Sequence, residues 1–346
     1  MVILSGGRGV RFWPLSTDDK PKQFLNVFGG KSLIRQSVDR LKGVVAKSHI
    51  LVITSENLLK LTRKELPDLP LENIITEPCR RDTAAAVATA CGVVESREGE
   101  DAVVAILTAD HFMKDEDAFR KLLKDASLAA EGTGSIVTMG VSPDHPATGF
   151  GYIKCGKRAE VNTDTVFFNA EKFVEKPDAK TARKYIASKK YVWNAGMFVW
   201  KVATMKEALV KYAPSLAILE ANLADEKNYK KVLKTFYPQL QPISIDYAVM
   251  EKADNILVSS GDFGWDDVGT WSSADKHMKT DGRRNAVKGD VTLLDVADSL
   301  VVSDGPKIAA LGVDNIVIVT TKDSVLVAAK ERVQDLKTLL SKMRMD

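Results

Sequence analysis

The chain has 346 residues, 45% hydrophobic and 27% charged, a soluble globular composition with enough apolar mass for one large domain and a smaller one. Its 49 basic and 46 acidic residues leave a net charge of +3, and no run of like charge is long enough to mark a nucleic-acid or membrane surface. Cys79, Cys91 and Cys155 are odd in number and lack CxxC spacing, which argues against a disulfide framework or structural zinc and for a reducing compartment. No apolar segment approaches a membrane span, and little chain precedes the first glycines to serve as a signal peptide, so the expected location is cytoplasmic.

Met1 to Leu4 reads as the end of a buried strand, and the stretch from Leu4 to Leu25 follows it with three glycines, two arginines and two lysines. Gly6, Gly7 and Gly9 let the backbone turn sharply and present N–H groups to an anion, while Arg8, Arg11, Lys20 and Lys22 add mobile positive charge. That combination suits a polyphosphate whose charge shifts during transfer. Two better-known glycine motifs fail: a Rossmann fingerprint would need glycine where Phe12 stands, and a P-loop would need Gly-Lys-Ser/Thr where Val10-Arg11-Phe12 follows Gly9. Pro14 and Pro21 make the segment a long structured loop rather than a helix N-terminus.

Downstream, apolar periodicity predicts a helix over 31–41, a strand over 49–54, a strand at Ile74-Ile75 and an alanine-rich helix over 83–95. A strand over 102–107, a helix over 116–130 and a strand over 135–141 continue the alternation. Such a series implies an α/β fold with a mainly parallel sheet covered by helices on both faces, with ligands beyond the carboxyl ends of its strands. From 143 to 268 the alternation loosens, with strands near 166–175 and 197–200 and helices near 179–188 and 204–212, which reads as an acceptor-binding half of the same domain. After Asp281-Gly282, short apolar runs begin at Leu300, Ile308, Ile316 and Val325, a spacing that fits a small β-solenoid or sheet. A terminal amphipathic helix carries Val333, Leu336, Leu339, Leu340 and Met343 on one stripe.

Several short stretches carry chemistry. Asp110 in Thr108-Ala109-Asp110-His111 leaves a strand end, and Asp266-Asp267 follows Gly264-Trp265 far along the chain; carboxylates converging on a phosphate site suit Mg²⁺, although strand-end aspartates also serve as turn formers. His111 reads as a packed or hydrogen-bonded histidine rather than a base. Glu175 and Lys176 can both face a pocket only if their strand ends there, which Pro177 favours; otherwise they form a solvated pair. Asn194, among core aromatics in Trp193-Asn194-Ala195-Gly196-Met197-Phe198, could hold a hydroxyl. Asp82 or Thr83 would cap the alanine-rich helix, and a carboxylate or carbonyl in Glu77-Pro78-Cys79-Arg80-Arg81-Asp82-Thr83 could instead read the N1–H and N2–H₂ donors of guanine.

Taken together, GGRGVRFWPLS with PKQF, TEPCRRDTAAA, TADH, TGFGYI, FVEKP, WNAGMF, SIDYAVME and GWDDVGTW, over roughly residues 1 to 272, resemble the mannose-1-phosphate guanylyltransferases. The resemblance implies a mixed, mainly parallel Rossmann-like nucleotidyltransferase domain over 1–282, and a short left-handed β-helix with a terminal helix over 283–346 that serves dimerisation. It implies transfer of GMP from GTP to mannose 1-phosphate with Mg²⁺, by a homodimer that needs neither nucleic acid nor membrane. Carried over, Arg11 and Lys22 are the cations on the triphosphate and α-phosphate, Gly6, Gly7 and Gly9 the backbone cradle, and Asp110 and Asp267 the metal ligands. Glu77 and Thr83 fall where the family reads guanine, Gly151, Glu175 and Asn194 where it holds mannose hydroxyls, Lys176 where it meets the sugar phosphate, and Asp246 in the same pocket. The chain departs from the family at Arg81-Asp82-Thr83-Ala84-Ala85 in place of Arg-Asn-Thr-Ala-Pro, at TADH for PADH and at WNAG for WNSG; the first strand starts later than usual. Ending without the cupin-like extension of bifunctional relatives, it is expected to lack phosphomannose isomerase activity. The rival readings are another sugar-nucleotide pyrophosphorylase, using UTP or dTTP with glucose 1-phosphate, a non-catalytic GDP-sugar-binding regulator, and a structural or interaction protein, which would need the charged, glycine-dense opening loop to be inert.

Overall fold

A computed structural model describes residues 1–7, 10–27, 29–225 and 229–343. The first part of the chain alternates β1 (Val2–Ser5), α1 (Leu33–Asp39), β2 (Leu51–Ser55), α2 (Leu59–Glu65), β3 (Ile74–Glu77), α3 (Asp82–Glu98), β4 (Val103–Thr108), β5 (Phe112–Met113), α4 (Glu116–Thr133) and β6 (Ile136–Val141). It continues with β7 (Tyr152–Arg158), β8 (Phe167–Val174), α5 (Ala179–Ser188), β9 (Tyr191–Lys201), α6 (Val202–Tyr212), α7 (Pro214–Asp225), α8 (Tyr229–Phe236), a π-helical turn Asp246–Met250, β10 (Ile256–Ser260), β11 (Trp265–Asp266) and α9 (Trp271–Asp275). Nine of these strands form one sheet in the order β3-β2-β1-β4-β9-β6-β10-β8-β7. Only β8 and β9 run against the rest, so the sheet is mixed but mainly parallel, as the alternation predicts.

The two-residue side-chain period explains how one sheet builds two cores. Val2, Ile53, Ile106, Phe198 and Trp200 face a layer made with α3, α6 and α7, whereas Ile3, Val52, Leu107, Met197 and Val199 face α1 and α4. Helix α3 is buried continuously from Ala84 to Val93, which is why it reads as apolar all round rather than amphipathic. Its close neighbour is α7, which periodicity does not predict; α8, β7 and β10 also lie where only loosened alternation is legible.

The last part of the chain contains β12 (Ala286–Lys288), β13 (Val291–Leu294), β14 (Leu300–Asp304), β15 (Ile308–Leu311), β16 (Ile316–Thr321), β17 (Val325–Ala329) and α10 (Leu336–Met343). Parallel pairings β12–β14–β16 and β13–β15 stack successive turns of a β-helix, closed by antiparallel β17. The expected terminal stripe is only half buried. Val333 and Leu336 reach the core, but Leu339 and Met343 are 46% and 52% exposed, because the helix begins only at Leu336 and turns those residues outward.

A third core joins this module to the opening loop: Phe12, Leu25, Val27 and Leu33 pack with Val268, Trp271 and Ala274 and with Leu300, Val302, Val317, Val319 and Leu326. The Phe12 ring meets Trp271 edge-on at 4.9 Å, and Trp271 Nε1 donates to the Trp13 carbonyl at 3.0 Å.

The α3–α7 contact generates a test. A Cβ at Gly92 would lie 2.4 Å from the Glu220 carbonyl oxygen and 2.6 Å from Leu223 Cβ, too close to relax without moving backbone. Gly92→Ala, normally favoured in a helix by about 1 kcal/mol, should here destabilise by about 1–3 kcal/mol in urea unfolding. Unchanged or increased stability would refute this close approach.

Candidate active site

At the carboxyl ends of β1, β3 and β4 the chain opens into a cavity of about 470 Å³, a size suited to a small-molecule ligand. Ser5, Gly6 and Gly7 from the end of β1, Glu77 from β3 and Asp110 from β4 line it, as expected of a sheet of this kind. The proline-interrupted loop is two short 3₁₀ turns, Val10–Phe12 and Lys22–Phe24, rather than a helix. The second buries Lys22 to 6% exposure and sends its ammonium to Asp110 Oδ2 at 3.2 Å and to the Asp267 carbonyl oxygen, so that it stands behind these two lining residues and, like Arg11, does not itself line the cavity. Gln23 Nε2 donates to the Ser5 carbonyl at 3.1 Å, fixing loop and strand together. Gly9 lies outside the described residues. Arg11 is exposed and is not among the residues lining the cavity; its guanidinium stands on the outer side of Asp267, near Gly269.

Asp267 owes its place to the ladder of β11 against β5, in which Asp266 pairs with Phe112. The two aspartates divide their work. Asp266 accepts from Val268 N at 2.7 Å and contacts His277 Nε2 at 2.8 Å, while Asp267 lines the cavity. His111 accepts at Nδ1 from Trp265 Nε1 at 3.0 Å, and burial drives its pKa down to about 4, so it is a neutral packed histidine, as the sequence suggests.

At one end of the cavity, Glu77 is 8% exposed and accepts a hydrogen bond from the hydroxyl of wholly buried Tyr237. Burial pushes Glu77 up to about 7, partly opposed by that bond. Neither residue expected to cap α3 does so: Asp82 is already its first residue, with Oδ1 accepting from Thr83 N at 2.7 Å, and the hydroxyl of cavity-lining Thr83 accepts from Ile245 N at 2.9 Å.

At the other end β8 stops at Val174, and Lys176 takes φ +47°, which lets adjacent Glu175 and Lys176 face the same cavity, joined at 2.6 Å. Burial works against the Lys176 charge, but Glu175 holds it above the usual lysine range. The Asn194 amide oxygen accepts from Thr138 Oγ1 and Gly196 N, both at 3.0 Å, which orients its Nδ2 toward Asp246 Oδ1 at 3.1 Å. A Cβ at Gly151 would sit 2.6 Å from Glu175 Oε2, so any larger residue would displace the Glu175 carboxylate. Burial and the nearby Glu175 carboxylate raise Asp246 to about 7. Sequence reasoning misses Tyr237, Thr138 and Arg80, the last on the cavity wall; Tyr237 precedes the Asp246 motif by an interval with no recognisable period.

Asp110 and Asp267 face the same floor but differ electrostatically. Burial is the largest influence and opposes ionisation of Asp110, yet Lys22 together with His111 and a backbone hydrogen bond keeps the carboxyl below its ordinary range. Burial raises Asp267, with Asp266 and Asp110 adding repulsion against the pull of Lys22 and Arg11. Among the described residues there is no cluster of three or more metal-ligating side chains. Two carboxylates on one cavity nevertheless fit a hard divalent cation, which takes one or two protein oxygens and completes its shell with phosphate and water.

Residues 1–282 match the family described as Nucleotidyl transferase, and residues 289–343 match the MannoseP isomerase/GMP-like beta-helix domain, so fold and site together define a nucleotidyltransferase. The whole chain aligns at 38% identity with 73% of the mannose-1-phosphate guanylyltransferase of Escherichia coli (strain K12), and at 34% with 68% of that of Sinorhizobium fredii. A crystal structure from Thermus thermophilus, described as a mannose-1-phosphate geranyltransferase, superposes at a TM-score of 0.86 with 33% identity, over 99% of this chain and 98% of that one. The chain belongs to the mannose-1-phosphate guanylyltransferase family.

The raised Glu77 pKa generates a prediction with a definite sign. A carboxyl that binds its proton more tightly when folded contributes stability fully below its unfolded value, near 4.5, and loses it as pH rises through about 7. Wild type should therefore lose stability relative to Glu77→Gln between pH 4.5 and 7, by at most about 3 kcal/mol in urea unfolding. Parallel pH curves for the two proteins would contradict the burial assigned to Glu77.

Proposed function

We propose that the protein transfers GMP from GTP to mannose 1-phosphate, giving GDP-mannose and pyrophosphate by direct in-line displacement. The observation that carries the reading is the meeting of buried Lys22 with Asp110 and Asp267, two residues of a cavity that Glu77, Glu175 and Asn194 also line. An oxygen of the sugar phosphate forms a bond to the α-phosphorus of GTP as the α–β bridging oxygen leaves with pyrophosphate. No general base is needed, since the attacking phosphate is already anionic near neutral pH. What the protein must overcome is repulsion between two polyanions and loss of their alignment.

In this reading the Gly6 and Gly7 amides and Lys22 hold the α-phosphate region, Arg11 approaches the outer phosphates, and Lys176 meets the sugar phosphate. Gly9 belongs to the same cradle by family resemblance. Glu77 and Thr83 stand at the guanine, with Glu77 accepting its N–H donors. Gly151, Glu175, Asn194 and Asp246 hold the mannose hydroxyls. The family is typically metal-dependent; Asp110 and Asp267 would hold Mg²⁺, which when bound supplies charge neutralisation at the phosphates. The reading includes a catalytic domain over 1–282, a β-helix module over 283–346 and a homodimer formed through that module, supported by exposed Leu294 and Leu311 lying opposite each other in register. It also includes a cytoplasmic location; among the described residues no helix is long and apolar enough to cross a membrane.

Pyrophosphate release with GTP and mannose 1-phosphate, with and without Mg²⁺, tests the reaction. UTP or dTTP with glucose 1-phosphate tests the neighbouring pyrophosphorylase activities, and GDP-mannose binding without pyrophosphate release would identify a sensor. Lys22→Ala and Asp267→Asn should each lower turnover about a hundredfold or more. Near-normal turnover in both, with the fold intact, would sink the assignment.

A further inference from the structure

Glu77 and Tyr237 are 160 residues apart, yet form a buried pair at the base end of the cavity. Tyr237 is 0% exposed, and its hydroxyl has one proton, donated to Glu77 Oε1. The other oxygen, Oε2, lies 3.3 Å from where a Cβ on Gly6 would stand, so it looks toward the glycine turn lining the cavity. The two carboxylate oxygens are therefore not equivalent. One is committed to the interior and one is offered to a ligand.

The phenol cannot easily swing aside. Arg81 Nη2 donates to the Pro238 carbonyl, Ala84 N to Ile243 at 3.2 Å, Ile243 N to Arg81 at 3.4 Å and Ile245 N to Thr83 Oγ1 at 2.9 Å. These bonds zip the segment that carries Tyr237 onto the loop that follows Glu77.

We infer that Tyr237 is a specificity-determining positioning residue: by placing its only hydroxyl proton on the inner oxygen of Glu77, it makes the outer oxygen an acceptor and so selects a purine edge bearing N–H donors. This rests on Glu77 reading the base, as proposed above. Guanine offers N1–H and N2–H₂ donors on that edge; adenine offers a ring-nitrogen acceptor at N1. The Tyr237 bond opposes the burial that favours a proton on Glu77, so its loss shifts the carboxyl toward the protonated form, which presents a donor and suits adenine.

The arrangement has a consequence that a merely structural tyrosine would not produce. In Glu77→Gln, the Tyr237 proton holds the amide oxygen inward and turns the NH₂ group into the cavity, where it opposes the guanine donors. Removing the phenol hydroxyl as well frees the amide to rotate and restore an acceptor.

The test is the ratio of kcat/KM for GTP over ATP, each with mannose 1-phosphate, in the full-length wild type, Glu77→Gln, Tyr237→Phe and the double variant. A ratio within one preparation is independent of the fraction folded. Tyr237→Phe should lower it about tenfold, Glu77→Gln about a hundredfold, and the double variant should regain about tenfold over Glu77→Gln. A double variant no more selective than Glu77→Gln would overturn the role of Tyr237 while leaving Glu77 as the base reader. An unchanged ratio in Glu77→Gln would instead remove Glu77 as the base reader, and the role of Tyr237 with it.

Discussion

An ammonium almost withdrawn from water must find partners or lose its charge, and Lys22 finds them in segments that the sequence keeps far apart. Asp110 comes from the end of β4, and the Asp267 carbonyl from the residue after β11. Satisfying one buried cation therefore requires that the opening loop, the central sheet and the β5–β11 ladder all be in register. The same contacts set one buried ammonium against Asp110 and Asp267, both of which line the cavity.

Much of this was legible in the residues because it is local. Strongly periodic elements such as the helix from Glu116 and the strand ending at Thr108 follow from apolar spacing, and Pro177 correctly marks where Glu175 and Lys176 leave the strand to face one cavity. The neutral, packed state of His111 was also legible, although its indole partner was not. What escaped depends on pairings across long intervals. Helix α7 lies on α3 through glycine-sized contact at Gly92, a fit that neither segment shows alone. Thr83 looks like a cap but spends its hydroxyl on Ile245, because the helix start is stitched to the segment before the π-helical turn. Arg11 carries the right charge in the right loop, yet stands outside the cavity wall.

The cavity holds its carboxyl groups in two different ways. At the Glu77 end a carboxylate is held by one neutral phenol, so its hydrogen-bonding polarity is the quantity under control. At the opposite end Glu175, Lys176, Asn194 and Asp246 form a connected polar network, so direction is controlled by which groups are already committed. Asn194 illustrates this: with its oxygen occupied by Thr138 and Gly196, its amide can only donate into the cavity.

The third hydrophobic core gives the β-helix module a thermodynamic stake in the site. Phe12 and Leu25 flank the stretch that delivers Lys22, with Arg11 next to Phe12, and they share one apolar interior with Leu300, Val317 and Leu326. Loop order and module order thus belong to one cooperative unit, and whatever binds the ordered loop also favours the folded module by mass action. Substitutions in those distant β-strands then bear on the order of the loop as well as on packing, although none of these core residues lines the cavity.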